Sequence, residues 1–282
     1  MSTAPTTPLR FEPRATPVPD PRPLRIVHTS DVHLGAYAGD GDEKWNARRE
    51  LMERTFERVI ELANESGADA LVIAGDFFDN DRVPESTVRF AAETIAQFRG
   101  QTILLPGNHD PMDPGSIYWR HDMEAIARRL TIVRAHGGEL IEPEGLDAVF
   151  WGRGYLDTDW HFKPLEGLPG RVDRRWHIAL GHGHFVREGG EMHRSLLIRE
   201  SEVAAAAGQW DYMAFGHWEP HADVSTGGVT AIYSGAPMPL SDANRKAGMA
   251  AVVDFDESGV HWRMHRVDPR PLETTVHHNG PS

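Results

Sequence analysis

Five short segments of this chain carry side chains able to hold cations: Asp31-Val32-His33, Gly75-Asp76, Gly107-Asn108-His109-Asp110, Gly181-His182 and Gly216-His217. Together they offer carboxylates, imidazoles and one carboxamide. Thiolates are excluded, because the chain has no cysteine. A single Asp-x-His is ordinarily a turn with a satisfied histidine. Five such segments in order, most of them closing an apolar stretch, point instead to a two-metal centre at the ends of a sheet. Two divalent cations about 3.5–4 Å apart need a carboxylate to bridge them and neutral imidazoles to limit the total negative charge. Asp76, at the end of the apolar run Ala70-Leu71-Val72-Ile73-Ala74, is the natural bridge.

The elements that must position these residues follow from periodicity. A strand from Leu24 to Thr29 delivers Ser30-Asp31 at its C-terminal end. A helix is predicted from about Ala47 to Ser66, with Leu51, Phe56, Val59, Ile60 and Ala63 on its apolar face and Gly67 as the stop signal. The run Ala70–Ala74 has the length of a buried strand. A second helix is predicted from Pro84 to about Arg99, with the proline in its first turn, and a third strand from Thr102 to Leu105 enters Pro106-Gly107. This alternation is the pattern of a layered α/β fold. Beyond His121 a helix is expected over Met123 to Leu130 and a short strand over Thr131 to Arg134. Strands then dominate, at Ala148–Trp151, Trp176–Leu180, Tyr212–Phe215, Val229–Tyr233, Met249–Phe255 and Val260–Val267, with a short helix at Val203–Ala207. No repeat or linker divides residues 24–268, so they read as one domain in which each half supplies a sheet with helices outside.

Composition bounds the rest. With 282 residues, 40% hydrophobic and 25% charged, the chain can bury a proper core. No apolar run reaches the roughly 18 residues of a membrane span, and no signal peptide is recognisable. Residues 1–23 are rich in proline and threonine and read as a disordered leader, and residues 269–282 as a flexible tail. The cytoplasm is the default compartment. The net charge of -13 disfavours non-specific nucleic-acid binding, which relies on many Lys/Arg–phosphate contacts. A nucleotide or a DNA end at a metal site stays open, since cations supply positive charge locally. The oligomeric state is not readable.

The five segments resemble the calcineurin-like metallophosphoesterase superfamily, and the resemblance covers nearly all of the folded chain. The superfamily pattern is D-x-H, G-D-x-x-x, G-N-H-D/E, a lone histidine after a strand, then G-H-x-H. Gly75-Asp76-Phe77-Phe78-Asp79 and Tyr233-Ser234-Gly235-Ala236-Pro237 look most like the bacterial SbcD-type exonuclease branch. The resemblance implies a four-layer α/β/β/α sandwich of two mixed β-sheets flanked by helices, with the metal site at the strand C-terminal ends. It places Asp31 and His33 on the first metal, Asp76 between the two, and Asn108, His182 and His217 on the second. The asparagine oxygen favours Mn²⁺, while iron and zinc also fit. A metal-bridging hydroxide would attack phosphorus, His109 would stabilise the departing oxygen, and Asp110 would orient His109.

The fifth segment departs from the pattern, since Glu219 stands where the superfamily has its second histidine. Either Glu219 serves as a ligand of the first metal, or His221 supplies the missing imidazole after a bend at Pro220, or neither binds. His184 either touches substrate or, as the better reading, is a histidine beside the ligands or merely solvated. Asp79 reads as a loop and cap residue in a loop facing the cleft. Trp218, inside the fifth segment, is the tryptophan to watch for stacking a base, with core packing the better reading for most of the others. The expected activity is hydrolysis of a phosphate ester, a small molecule or a nucleotide, with diesters preferred. One alternative is a DNA exo- or endonuclease with a partner ATPase, for which the stretch after Ser234-Gly235 is expected to be too short to hold capping and partner-binding segments. The other is a non-catalytic binding module on the same fold.

Overall fold

Alternate residues of the first strand look in opposite directions, and this alternation decides the layering. Ile26 packs with Val72 and Ile103 on the side that meets a second sheet. Val27 packs with Leu71, Ile73 and Leu104 on the side covered by helices. The computed structural model describes residues 21–36, 43–190, 195–240 and 247–270. The bulk of the expected leader and tail, residues 1–20 and 271–282, lies outside the described residues.

In chain order the elements are β1 (Leu24–Thr29), α1 (Glu43–Glu65), β2 (Ala70–Ala74), α2 (Glu85–Ile95) and β3 (Gln101–Leu105). There follow α3 (Ile117–Arg120), α4 (Met123–Ile126), β4 (Leu130–Ile132), β5 (Glu139–Ile141) and β6 (Ala148–Gly152). Next come β7 (Trp176–His182), β8 (His184–Val186), β9 (Leu197–Arg199), α5 (Glu200–Ala205) and β10 (Tyr212–Gly216). The last are β11 (Ala222–Asp223), β12 (Thr230–Tyr233), β13 (Met249–Asp256) and β14 (Gly259–Arg266). The first sheet runs β14-β13-β1-β2-β3-β4 and the second β11-β12-β10-β7-β6-β5. Both are mixed: β1 to β4 are parallel and edged by antiparallel β13 and β14, while β12, β10, β7 and β6 are parallel between antiparallel β11 and β5.

The inner faces of the two sheets share one apolar core, in which Phe150, Ile178, Leu180, Tyr212 and Ile232 of the second meet Ile26, Val72, Ile103 and Leu105 of the first. Helices α1 and α2 cover the first sheet through Phe56, Val59, Ile60, Val88 and Ile95. The outer face of the second sheet carries a thinner layer, the short α5 with Trp210 and the β8–β9 strands. The result is a four-layer α/β/β/α sandwich. Among the described residues, no helix is long and apolar enough to cross a membrane.

The sheets also meet through a buried polar contact. His28 of β1 is fully buried, and its Nδ1 lies 2.8 Å from the Tyr212 hydroxyl of β10. Burial pushes the His28 imidazole down to about 3 from its ordinary 6.5. The unfolded chain therefore binds more protons than the fold across that interval. The contribution of neutral His28 to stability is complete above pH 6.5 and is lost as the pH falls toward 3. In urea titrations, His28→Gln should flatten the pH dependence of unfolding free energy below pH 6.5 by roughly 1 kcal/mol per pH unit. An unchanged slope would contradict this assignment.

Candidate metal centre

The C-terminal ends of β1, β2, β3, β7 and β10 all open on one edge of the sandwich, and the five segments follow them there. The first two loops continue the pairing of their strands: Asp31 N–H donates to the Gly75 carbonyl, His33 N–H to Asp76 and Leu34 N–H to Phe77, at 2.9–3.0 Å. Asp31, His33, Asp76 and His217 hold φ of 53°, 51°, 50° and 100°. This is left-handed backbone, which costs a non-glycine residue roughly 1–2 kcal/mol. The neighbouring glycines are required for space. A Cβ on Gly75 would lie 2.1 Å from His182 Nδ1, and one on Gly107 would lie 2.2 Å from Asp76 Oδ1.

Four acceptor atoms converge on one point. His182 Nε2 lies 3.1 Å from Asn108 Oδ1, 3.2 Å from Asp76 Oδ2 and 3.2 Å from His217 Nδ1, which is 3.0 Å from Asn108 Oδ1. Nitrogen and oxygen ligands bound at about 2.0–2.2 Å around one cation are spaced by roughly 3 Å. Without positive charge among them, such lone pairs repel. The His182 tautomer is set from outside, because its Nδ1–H donates to the Ala74 carbonyl at 2.9 Å and leaves the Nε2 lone pair for the pocket. Burial alone would lower His182, but the Asp76 carboxylate lifts it to about 9. Burial and the neighbouring imidazoles His182 and His184 press His217 down to about 3. The donor set fits a divalent cation.

A second group adjoins the first through Asp76. Its Oδ2, 3.2 Å from His182, is also 4.0 Å from His33 Nε2, so one carboxylate oxygen stands between the two histidines. Asp31, His33 and Asp76 form a buried cluster that could hold another ion. Both Asp31 oxygens accept the His217 N–H, at 3.1 and 2.9 Å, which ties the first segment to the fifth. Burial raises the Asp31 carboxyl. His109 is exposed at the mouth, its ring edge-on to His33 with centroids 4.7 Å apart. Its Nδ1–H donates to the Asp79 carbonyl at 2.7 Å and its backbone N–H to Asp76 Oδ1 at 2.9 Å.

Two of the expected roles meet a different geometry. Among the described residues, the Asp110 carboxylate bonds to groups other than the His109 ring. This buried carboxylate accepts the N–H groups of Gly107, Phe77 and Phe78 and the Tyr118 hydroxyl, at 2.5–2.9 Å. It therefore clamps the β2 and β3 loops together, while the Asp79 carbonyl holds His109. Burial and the Asp76 charge push the Asp110 carboxyl up to about 6, against the pull of these donors. In urea unfolding, Asp110→Asn should cost about 2–4 kcal/mol, because an amide NH₂ then faces donors, and Tyr118→Phe about 1 kcal/mol. Equal losses would show that the carboxylate is not the hub.

Glu219 is the other case. Its Oε1 accepts the Leu240 N–H at 3.2 Å, and among the described residues neither it nor His221 joins the clustered donors. The backbone explains this: the Glu219 carbonyl accepts the Ala236 N–H, and the segment presses on Gly235 on its way into β11. Sequence reasoning missed the place of Asp79, whose carboxylate lies 3.6 Å from His33 Nδ1 and which groups with His33 and His109. The available signal was a second carboxylate three residues beyond Asp76, in a loop facing the same cleft.

Comparison with known proteins agrees with this geometry. Residues 24–218 match the model of the calcineurin-like phosphoesterase family. The chain is 25% identical over 264 residues to a DNA double-strand break repair protein Mre11 from Methanopyrus kandleri, covering 84% of this chain and 55% of that protein. It is 28% identical over 155 residues to a subunit of the nuclease SbcCD from Rhodobacter capsulatus, covering 53% of this chain and 33% of that one. The chain thus spans about half or less of the length of these curated relatives. A crystal structure from Thermus thermophilus superposes with a TM-score of 0.51 at 16% identity, over 86% of this chain and 99% of the other, a likeness of fold. The chain belongs to the calcineurin-like phosphoesterase family.

Proposed function

We propose that the chain is a metal-dependent phosphodiesterase acting on a small phosphate diester or a nucleotide. The observation that carries this reading is the convergence of Asp76 Oδ2, Asn108 Oδ1, His182 Nε2 and His217 Nδ1 at 3.0–3.2 Å, with Asp31 and His33 on the far side of the same aspartate. Asp31, His33 and Asp76 would hold one divalent ion, and Asp76, Asn108, His182 and His217 the other. The mixed oxygen and nitrogen set favours Mn²⁺, with Fe and Zn compatible. When bound, the ions supply Lewis acidity at the phosphoryl oxygens and bring the pKa of water near neutrality.

The remaining steps belong to the chain. His109 keeps one proton on Nδ1 against the Asp79 carbonyl, so Nε2 is the nitrogen that, when it carries the second proton of the imidazolium, passes it to the departing alkoxide. The exposure of His109 beside buried His33 sets it at the boundary between the cation pocket and incoming substrate. A nuclease acting on DNA ends is the second reading, supported by the names of the curated relatives. The net charge of -13 favours the smaller substrate.

A Mn²⁺-loaded sample offered a diester dye, a monoester dye, cyclic nucleotides and linear DNA decides between these readings. The diester dye should be turned over faster than the monoester. Equal or faster monoester turnover would overturn the diesterase assignment, and a strong preference for DNA would favour the nuclease.

A further inference from the structure

His184 lies outside the donor cluster and touches one of its members. Its Nε2 is 2.8 Å from His217 Nε2, and the rings meet edge-on with centroids 4.0 Å apart. His217 thus has its two nitrogens in two environments: Nδ1 faces Asn108 and His182, and Nε2 faces His184. An imidazole that gives its Nδ1 lone pair to a cation must carry its proton on Nε2. That proton needs an acceptor, and His184 Nε2 stands where one is required.

The surroundings of His184 hold it in place. It opens β8, whose pairing with β9 is fixed by the His184 N–H bond to the Leu196 carbonyl at 2.8 Å. The preceding residue must be glycine, since a Cβ on Gly183 would lie 2.1 Å from the Leu196 carbonyl oxygen. Leu196 itself adopts left-handed backbone, with φ of 57°. The Gly183 carbonyl is anchored by the Tyr233 hydroxyl at 2.6 Å, and Tyr233 stacks on Trp218 with centroids 4.3 Å apart.

We propose that His184 is a positioning residue for the second cation: it accepts the His217 Nε2–H and so aims the Nδ1 lone pair into the pocket. This rests on the two-cation reading above and deepens it. The Trp218 indole supplies a contrast. Its Nε1–H reaches His184 Nδ1 at 3.3 Å, a longer contact than the 2.8 Å one to His217. A neutral imidazole carries one proton and cannot accept at both nitrogens. Acceptance from His217 therefore places the His184 proton on Nδ1 and opposes donation from the indole. Trp218 and His217 compete for the His184 tautomer, so removing the indole donor should favour the cation.

The test is Mn²⁺ affinity, measured by the electron paramagnetic resonance of free Mn²⁺ in titrations of the whole chain. His184→Ala should weaken the affinity roughly 10- to 100-fold, the range seen when partners of metal-bound histidines are lost. His184→Gln, which keeps an acceptor oxygen, should recover much of it. Trp218→Phe keeps the ring against Tyr233 and removes the N–H, and should bind Mn²⁺ as well as or better than the wild type. Unchanged affinity in His184→Ala would overturn the proposal alone. Weakening by Trp218→Phe as large as that by His184→Ala would also overturn it, since packing would then be the cause. Absence of Mn²⁺ binding by the wild type would overturn both this inference and the two-cation reading.

Discussion

Replacing His109 with alanine should lower kcat on a diester by about 10²- to 10⁴-fold, the usual contribution of a positioned proton donor, and leave the bound metal unchanged. Both halves follow from the loop geometry. This residue meets the cation pocket through its backbone N–H bond to Asp76 Oδ1, which alanine retains. It also meets the pocket through its ring edge against His33, which stays anchored by its own N–H bond to the Asp76 carbonyl. Asn108 next to it keeps its place, because the loop is clamped through Gly107 to the Asp110 carboxylate at 2.7 Å. Lost are the imidazole and its bond to the Asp79 carbonyl. Turnover and metal content measured on one preparation check the expectation. A full metal complement with undiminished turnover would remove His109 from the proton-donor role.

The second large effect is expected at the shared carboxylate. Asp76→Asn should abolish activity and weaken both cations by more than the roughly 100-fold upper range for lost partners of metal-bound histidines. Oδ2 faces His182 on one side and His33 on the other, so a single substitution removes negative charge from both pockets. The amide oxygen can still accept the His109 N–H, which keeps the loop in place and makes the loss one of charge. Metal analysis after dialysis should then find less than one ion per chain. Two retained ions would show that Asp76 does not bridge. With the His109 variant, the pair separates chemistry from binding: one loses rate and keeps metal, the other loses both.

The parts of this molecule that were legible in the sequence are those fixed by local pattern. Strands β1, β2 and β3 and helix α1 lie where the apolar runs placed them, because each buries side chains of its own segment. The candidate ligands could be singled out for the same reason, since each lies at or just beyond the end of an apolar strand. Legibility failed where a distant partner decides. Helix α2 ends at Ile95 rather than near Arg99, because Gln97 and Phe98 fall into a tighter turn on the carbonyls of Thr94 and Ile95. The helix expected over Met123 to Leu130 stops at Ile126, since Leu130 is taken into parallel pairing with Thr102. Strands β8 and β9 have three residues each and exist through contact with each other, which no window of sequence reports. Asp110 and Glu219 belong to the same class. Their types are right for chemistry, but the loops that pack on them decide which donors they meet.

The left-handed backbone at Asp31, His33, Asp76 and His217 has a consequence for anyone re-engineering this protein. These angles suit glycine, and the residues that occupy them are candidate ligands of the proposed cations. Robustness and catalysis therefore compete at the same positions. A screen that rewards heat resistance alone would enrich changes that relax the rim of the cleft and silence it. Improvement by directed evolution should hold these four positions fixed and seek its gains elsewhere.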